Sequence, residues 1–148
     1  MLSLPEVTTH LQDEIPIIRA MGIQIVGWDG TTVTVAAPLT PNQNHADTAF
    51  GGSIATIGIV AGYSLLHLVF LEHQMSTRIL IQKSTTEYLR PIDEDMTATA
   101  SVPSAAMLEE FLDTMKRKRR ARMEIESNIL CRKAIAATHR GLFVAMVY

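Results

Sequence analysis

One cysteine, Cys131, is all the thiol chemistry this chain carries. That excludes an internal disulfide and suits a reducing, cytoplasmic setting. Aromatic residues are only 5% of the composition, so the core has to be built from aliphatic side chains, alanine and methionine. Neither charge sign is in excess: 13 Lys and Arg stand against 15 Asp and Glu, a formal net charge of −2. Global charge therefore gives no reason to bind nucleic acid. The first residues, MLSLPEVTTHLQDE, lack the basic start and apolar run of a signal peptide. His67, His73 and His139 have no metal-ligand spacing with Cys131 or an acid, so no metal is expected. There is no P-loop and no dinucleotide fingerprint. The longest absence is of charge itself: none occurs from Thr48 to Leu71.

A run of about 18 or more apolar residues is the usual sign of a membrane span, and Gly58 and Gly62 even give a GxxxG spacing. The flanks argue otherwise. Asp47 stands at one end and Glu72 and His73 at the other, where a span would have basic and aromatic anchors. Most of the chain beyond reads as amphipathic strand. We expect a helix buried all round inside a single domain over residues 1–148, with no membrane span.

Pro5 to Met21 has helical spacing, through Val7, Leu11, Ile15, Ile18 and Met21, interrupted by Pro16 and ended by Gly22. Ile23 to Trp28 and Thr31 to Pro38 read as strands joined by the hairpin dipeptide Asp29-Gly30. Thr40 to Asp47 is a turn-rich loop, and the apolar helix follows. Arg78 to Leu89 reads as a strand with Ile79, Ile81, Lys83, Thr85, Glu87 and Leu89 on one face. Met96 to Val102 alternates. Pro103-Ser104 opens a shorter helix with Leu108, Phe111, Leu112 and Met115 inward. Ala121 to Leu130 and Ile135 to Val147 are the last strands. A charge-free helix needs apolar cover, which a curled antiparallel sheet supplies. The expected fold is α+β, a long central helix wrapped by five or six antiparallel strands. One sheet cannot seal every flank of the helix, so we expect a homodimer or a dimer of dimers.

The segment Asn42 to Ser53, NQNHADTAFGGS, places polar groups before a helix that begins at Gly51 and Gly52. The first N–H groups of a helix are unpaired and carry the positive end of its dipole. Glycine there removes the side chain that would keep a ligand away. Such an end can polarise a carbonyl and hold an oxyanion, as acyl transfer or hydrolysis requires. The same residue types also make plain turns and caps. Residue types alone leave both readings open.

This segment resembles the hotdog-fold thioesterases, whose central helix is introduced by Asn, a Gly three positions on, and then His-Gly-Gly. The matching positions are Asn44, Asp47, Phe50, Gly51 and Gly52. The Phe-Gly-Gly-Ser form is closest to the thioesterase domains of YiiD C-terminal type, often found behind a GNAT-type acetyltransferase. The charge-free helix and the strand ending Tyr88-Leu89-Arg90-Pro91 extend the likeness over most of the chain. The resemblance implies a hotdog fold. It also implies an acyl thioester of coenzyme A or acyl carrier protein as substrate, sites at a dimer interface, and no cofactor beyond the coenzyme A of the substrate.

The chain departs from that family in three places. The helix position that often carries Asp or Glu is Ile59; the usual Gly is Asp47; the usual His is Phe50. The general base must come from elsewhere. Asp47, near the helix start, is the first candidate, against the alternative of a carboxylate merely favoured by the dipole. Glu87 is the second, an acid on the face of Ile79 and Ile81; its plain reading is an ion pair with Arg90. Asn44 could orient water or the thioester oxygen, and His45 could carry a proton. Phe50, Ser53, Thr85 and Thr86 are substrate-binding candidates, although Ser53 reads first as a cap and the threonines as strand filler. A row of small residues, Ala55, Gly58 and Ala61, is expected to leave room for an acyl tunnel. Lys116 to Arg122, KRKRRAR, holds six of the thirteen basic residues. It is either a solvated helix end or, through Arg119 and Arg120, a site for coenzyme A phosphates or acyl carrier protein. Nucleic acid is disfavoured because no aromatic residues interleave there. Three classes compete: an acyl-thioester hydrolase, a non-catalytic acyl-binding hotdog domain, and a small membrane protein.

Overall fold

The computed structural model describes residues 2–148. Helix α1 (Leu4–Glu14) starts at a capping box in which Ser3 and Glu6 satisfy each other's backbone N–H groups. Pro16 then opens a short α2 (Pro16–Ala20) at the one helical position that wants proline. The interruption expected at Pro16 is a break into two pieces. Gly22, at φ +71, reverses the chain into β1 (Gln24–Trp28) and β2 (Thr32–Ala37). The Asp29 carboxylate braces that hairpin by accepting from the N–H groups of Thr31 and Thr32. A 3₁₀ turn (Thr40–Asn42) leads to α3 (Gly51–Glu72), β3 (Thr77–Tyr88) and β4 (Met96–Ser101). Then come α4 (Ala105–Lys118), capped by Ser104, β5 (Arg120–Cys131) and β6 (Ala134–Val147).

The six strands form one sheet in the order β1-β2-β4-β5-β6-β3, every pair antiparallel. Helix α3 packs against β2 through β6, and its end is pinned where Trp28 Nε1 donates to Glu72 Oε1 at 2.7 Å. This is the α+β hotdog arrangement, with six strands. The charge-free run is thus a core helix: by length and composition α3 could cross a membrane, yet most of it is buried in protein.

Gly58 and Gly62 serve that packing. A Cβ on Gly58 would lie 2.6 Å from His139 Cβ, and one on Gly62 would lie 2.6 Å from the Phe143 ring. The small-residue row therefore leaves no tunnel: β6 side chains occupy the space, and Ala61 is fully buried.

One expectation about β3 fails. Its pairing with β6 slips between Ile81 and Lys83, a bulge with Gln82 as the extra residue. An added residue turns every later side chain to the opposite face. Lys83, Thr85 and Glu87 thus point away from α3, and Ser84, Thr86 and Tyr88 point toward it. Glu87 does not share the face of Ile79 and Ile81.

Candidate active site

The loop before α3 is held by its own asparagines. Asn42 is buried, and its amide donates to the carbonyls of Met21 and Pro38 at 2.9 and 2.8 Å. Asn44 Oδ1 accepts from the N–H groups of Ala46 and Thr48, and its Nδ2 donates to Thr48 Oγ1 at 2.9 Å. The Asn44 side chain is therefore spent on the loop and does not face an open site. Asp47 sits at φ +60, a left-handed position that Asp tolerates better than most. It is exposed, as is His45. Asp47 takes part in no hydrogen bond or ion pair among the described residues.

The loop is sewn down at its end. Ala49 N–H donates to Ile92 O and Phe50 N–H donates to Asn42 O, both at 2.7 Å. Phe50 is the N-cap of α3, and its side chain caps nothing. Its carbonyl takes the N–H groups of Ser53 and Ile54 at 2.9 and 3.1 Å. Ser53 is thus not the cap its type suggested. The N–H groups of Gly51 and Gly52 find no acceptor among the described residues. An N-cap Ser or Asp would have covered the second of these; phenylalanine cannot. The Phe50 ring is 57% exposed and lies beside the Gly52 α-carbon.

From the sheet side, Tyr88 Oη donates to Gly51 O at 2.9 Å. A cleft of about 430 Å³ opens here, lined by Thr48, Gly51, Ile54, Tyr88, Arg90 and Pro91 among others. Leu89 and Arg90 N–H groups both donate to Ala136 O, which fixes that wall. Sequence reasoning noted Tyr88 only as part of a strand ending, and Arg90 as that and as a partner for Glu87. The signal available was that YLRP follows a strand whose inward face ends at Tyr88, but the Gln82 bulge hid which residues face in.

The other candidates lie elsewhere. Glu87 and Thr85 line a separate groove on the outer face, with Glu126 and Arg140. Lys83 and Arg140 are the cations lining it, and Arg140 is already paired with Glu124 and Glu126 at 3.3 and 2.8 Å; Arg90 makes no pair with Glu87. Thr86 is half-buried on the helix face. Arg119 caps α4 at φ +60 and donates to the Tyr148 carbonyl. Arg120 pairs with Met146, whereas Tyr88 pairs with Ala137 on the same β6. Nine strand residues separate those rows, about 30 Å. Within one chain the basic run is therefore at the far end of α3 from Gly51.

The sequence also gave no warning of a polar pair under the middle of α3. His139 is 2% exposed, its Nε2 lies 2.7 Å from Ser84 Oγ, and its Nδ1 has no partner among the described residues. Nearby, Ser127 Oγ donates to Gly58 O at 3.1 Å. Burial pushes the His139 pKa down, and the acids Glu87 and Glu126 are on the opposite face of the sheet. A proton taken up there would create a buried, unpaired cation. The pair is built to stay neutral and makes a poor general base.

Comparison with known proteins agrees with the fold. A protein of unknown function from Chlorobaculum tepidum superposes with a TM-score of 0.91 at 25% identity, covering 97% of this chain and 94% of that one. A Shewanella oneidensis protein described as a "putative thioesterase" superposes with a TM-score of 0.88 at 25% identity, covering 97% and 96%. A Pseudomonas aeruginosa protein described as a "probable thioesterase" shares the fold at 16% identity, with a TM-score of 0.77 and coverage of 100% and 99%. The family model described as "Putative thioesterase (yiiD_Cterm)" matches residues 4–147, and the chain belongs to that thioesterase family.

Proposed function

We propose that this protein hydrolyses acyl thioesters of coenzyme A or acyl carrier protein at the start of α3. One observation carries the reading: Gly51, which lines an open cleft, and the exposed Gly52 next to it have N–H groups with no acceptor among the described residues and no side chain capping them. The thioester carbonyl oxygen takes those two donors. Water attacks the carbonyl carbon, and Asp47, which has no competing partner, takes the water proton. The oxyanion of the tetrahedral intermediate rests on the two amides at the positive end of the helix. It collapses by breaking the C–S bond, and the departing sulfur takes the proton back. Products are a carboxylic acid and the free thiol. Ile54, Leu89 and Pro91 line the cleft and suit an aliphatic acyl group, and the exposed Arg90 at its edge suits a phosphate.

A second copy fits the same reading. β3 is an edge strand, and antiparallel pairing of two β3 edges would set the basic end of one copy beside the helix start of the other. That would return Arg119 and Arg120 to a role in binding coenzyme A phosphates or acyl carrier protein. The single thiol favours the cytoplasm as the place of action.

The test is a panel of acyl-CoA substrates with a thiol-trapping reagent, run on wild type and Asp47→Asn. We expect turnover in wild type and a loss of about 10²–10⁴-fold in the variant, the usual worth of a positioned base. Unchanged rates in the variant would acquit Asp47. A second reading, a non-catalytic acyl-thioester binder, draws on Ile59, which stands at the helix position that often carries Asp or Glu in the hotdog thioesterases this segment resembles. No turnover at any chain length, with saturable binding retained, would establish it instead.

A further inference from the structure

The Gly51 carbonyl and the Gly52 N–H belong to one peptide unit, and the two ends have different company. The N–H end finds no acceptor among the described residues and sits at an exposed glycine beside the cleft that Gly51 lines. The carbonyl end accepts the Tyr88 hydroxyl at 2.9 Å in addition to the ordinary helical bond from four residues on. Two donors on one carbonyl draw electron density toward the oxygen and leave the N–H of the same unit a stronger donor, because linked hydrogen bonds polarise one another.

Tyr88 has little other purpose. It is 54% exposed, so it adds modestly to the core. The contact that defines its place is with Gly51: a Cβ there would meet Tyr88 Oη, Cε1 and Cζ at 3.5 to 3.7 Å. It reaches that place only because the Gln82 bulge turns the end of β3 inward. The chain has spent a bulge and an exposed tyrosine on one backbone carbonyl at the start of an uncapped helix.

We propose that Tyr88 is a positioning residue whose hydroxyl fixes and polarises the Gly51–Gly52 peptide, tuning Gly52 N–H as an oxyanion donor. The proposal rests on the thioesterase reading for its catalytic consequence but not for its physical one. The physical arm is backbone amide NMR of wild type and Tyr88→Phe. The Gly52 amide proton moves upfield on loss of the hydroxyl, while amides in the middle of α3 stay put. An unmoved Gly52 resonance overturns the proposal whether or not the protein is an enzyme.

The catalytic arm replaces Tyr88 with a series of increasingly acidic fluorotyrosines, assayed below the range where any of them ionises. A stronger donor on Gly51 O raises kcat along the series and leaves KM flat. Tyr88→Phe lowers kcat about fivefold, the worth of one hydrogen bond. A merely structural tyrosine would give a lower melting temperature in Tyr88→Phe and a flat kcat series, and that flat series overturns the proposal. If wild type turns over no thioester, the functional reading fails, and the Gly52 shift alone still decides what Tyr88 does to the peptide.

Discussion

Helix α3 contains two pairs of glycines that do opposite things. Gly58 and Gly62 are buried against β6, where His139 and Phe143 occupy the volume a side chain would need. Gly51 and Gly52 begin the helix in the open, where a Cβ on Gly51 would meet only ordinary contacts and one on Gly52 would meet the exposed Phe50 ring. One pair lets the sheet come close; the other lets a ligand come close. The difference teaches that glycine at a helix start means something only after its cap is known. With Ser at position 50 the Gly52 N–H would be capped by its hydroxyl. With Phe50 the two glycines are donors with nothing to hold.

The comparison breaks most sharply at Gly51→Pro. Gly51 is the first helical residue, where proline is favoured and its missing N–H costs no helical bond. Phe50, at φ −61 and ψ 136, already has the extended backbone that a residue before proline requires. The variant should keep its melting temperature within a few degrees and lose about 10²-fold in kcat, as removal of one oxyanion donor does elsewhere. Retained turnover would mean that the amides are not the oxyanion site.

The inner pair predicts the reverse. Gly58→Ala and Gly62→Ala gain about 1 kcal/mol of helix propensity but overpack a core that cannot yield, a cost of about 1–3 kcal/mol. Gly58→Ala should be the worse, since it meets His139 Cβ, held by the strand itself, rather than the rim of a ring. At roughly 2–4 °C per kcal/mol for a domain of about this size, calorimetry should show a fall of a few degrees. The kcat of the folded fraction should change little. A variant that melts normally would show the helix and sheet less tightly seated than the glycine contacts require.

The fold was legible because its signals are local. The alternation of β4 and β5 is a repeat of two residues, Pro16 and Asp29-Gly30 mark a break and a hairpin by residue type, and the central helix is marked by its lack of charge. The helix start was legible from Gly51-Gly52. What failed was everything that depended on one residue of register or on what lies opposite. Gln82 gives no sign of a bulge in the run LIQKST, so Glu87 was placed on the wrong face and Tyr88 was overlooked. Ala55, Gly58 and Ala61 read as empty space because sequence lists what a helix lacks, not the histidine and phenylalanine that arrive to fill it. Asn44 read as chemistry because the groups that occupy it, the Ala46 and Thr48 N–H groups and the Thr48 hydroxyl, meet it only once the loop has folded.

The smallest effect concerns pH, and it tests whether the inner half of α3 is structural alone. Burial pushes the pKa of both His139 and His67 down. His67 stacks between His10 and Tyr63, at 5.8 and 6.1 Å between ring centroids. A positive charge on His10 pushes it further down, and Glu14 pulls the other way. For a histidine depressed in the folded state, the unfolded chain binds the proton first. Stability is then full above the unfolded value of about 6.5 and falls as pH drops below it, until the folded group also titrates. The melting temperature should therefore be lower at pH 5.5 than at pH 8, and His139→Gln, which can keep a hydrogen bond to Ser84, should flatten part of that slope. The same variant should leave the pH profile of kcat unchanged, because the imidazole is sealed under Gly58 and the reaction is assigned to the open end. If His139→Gln folds and its kcat profile nevertheless shifts, the neutral pair under the helix takes part in proton transfer, and the division between the two glycine pairs is wrong.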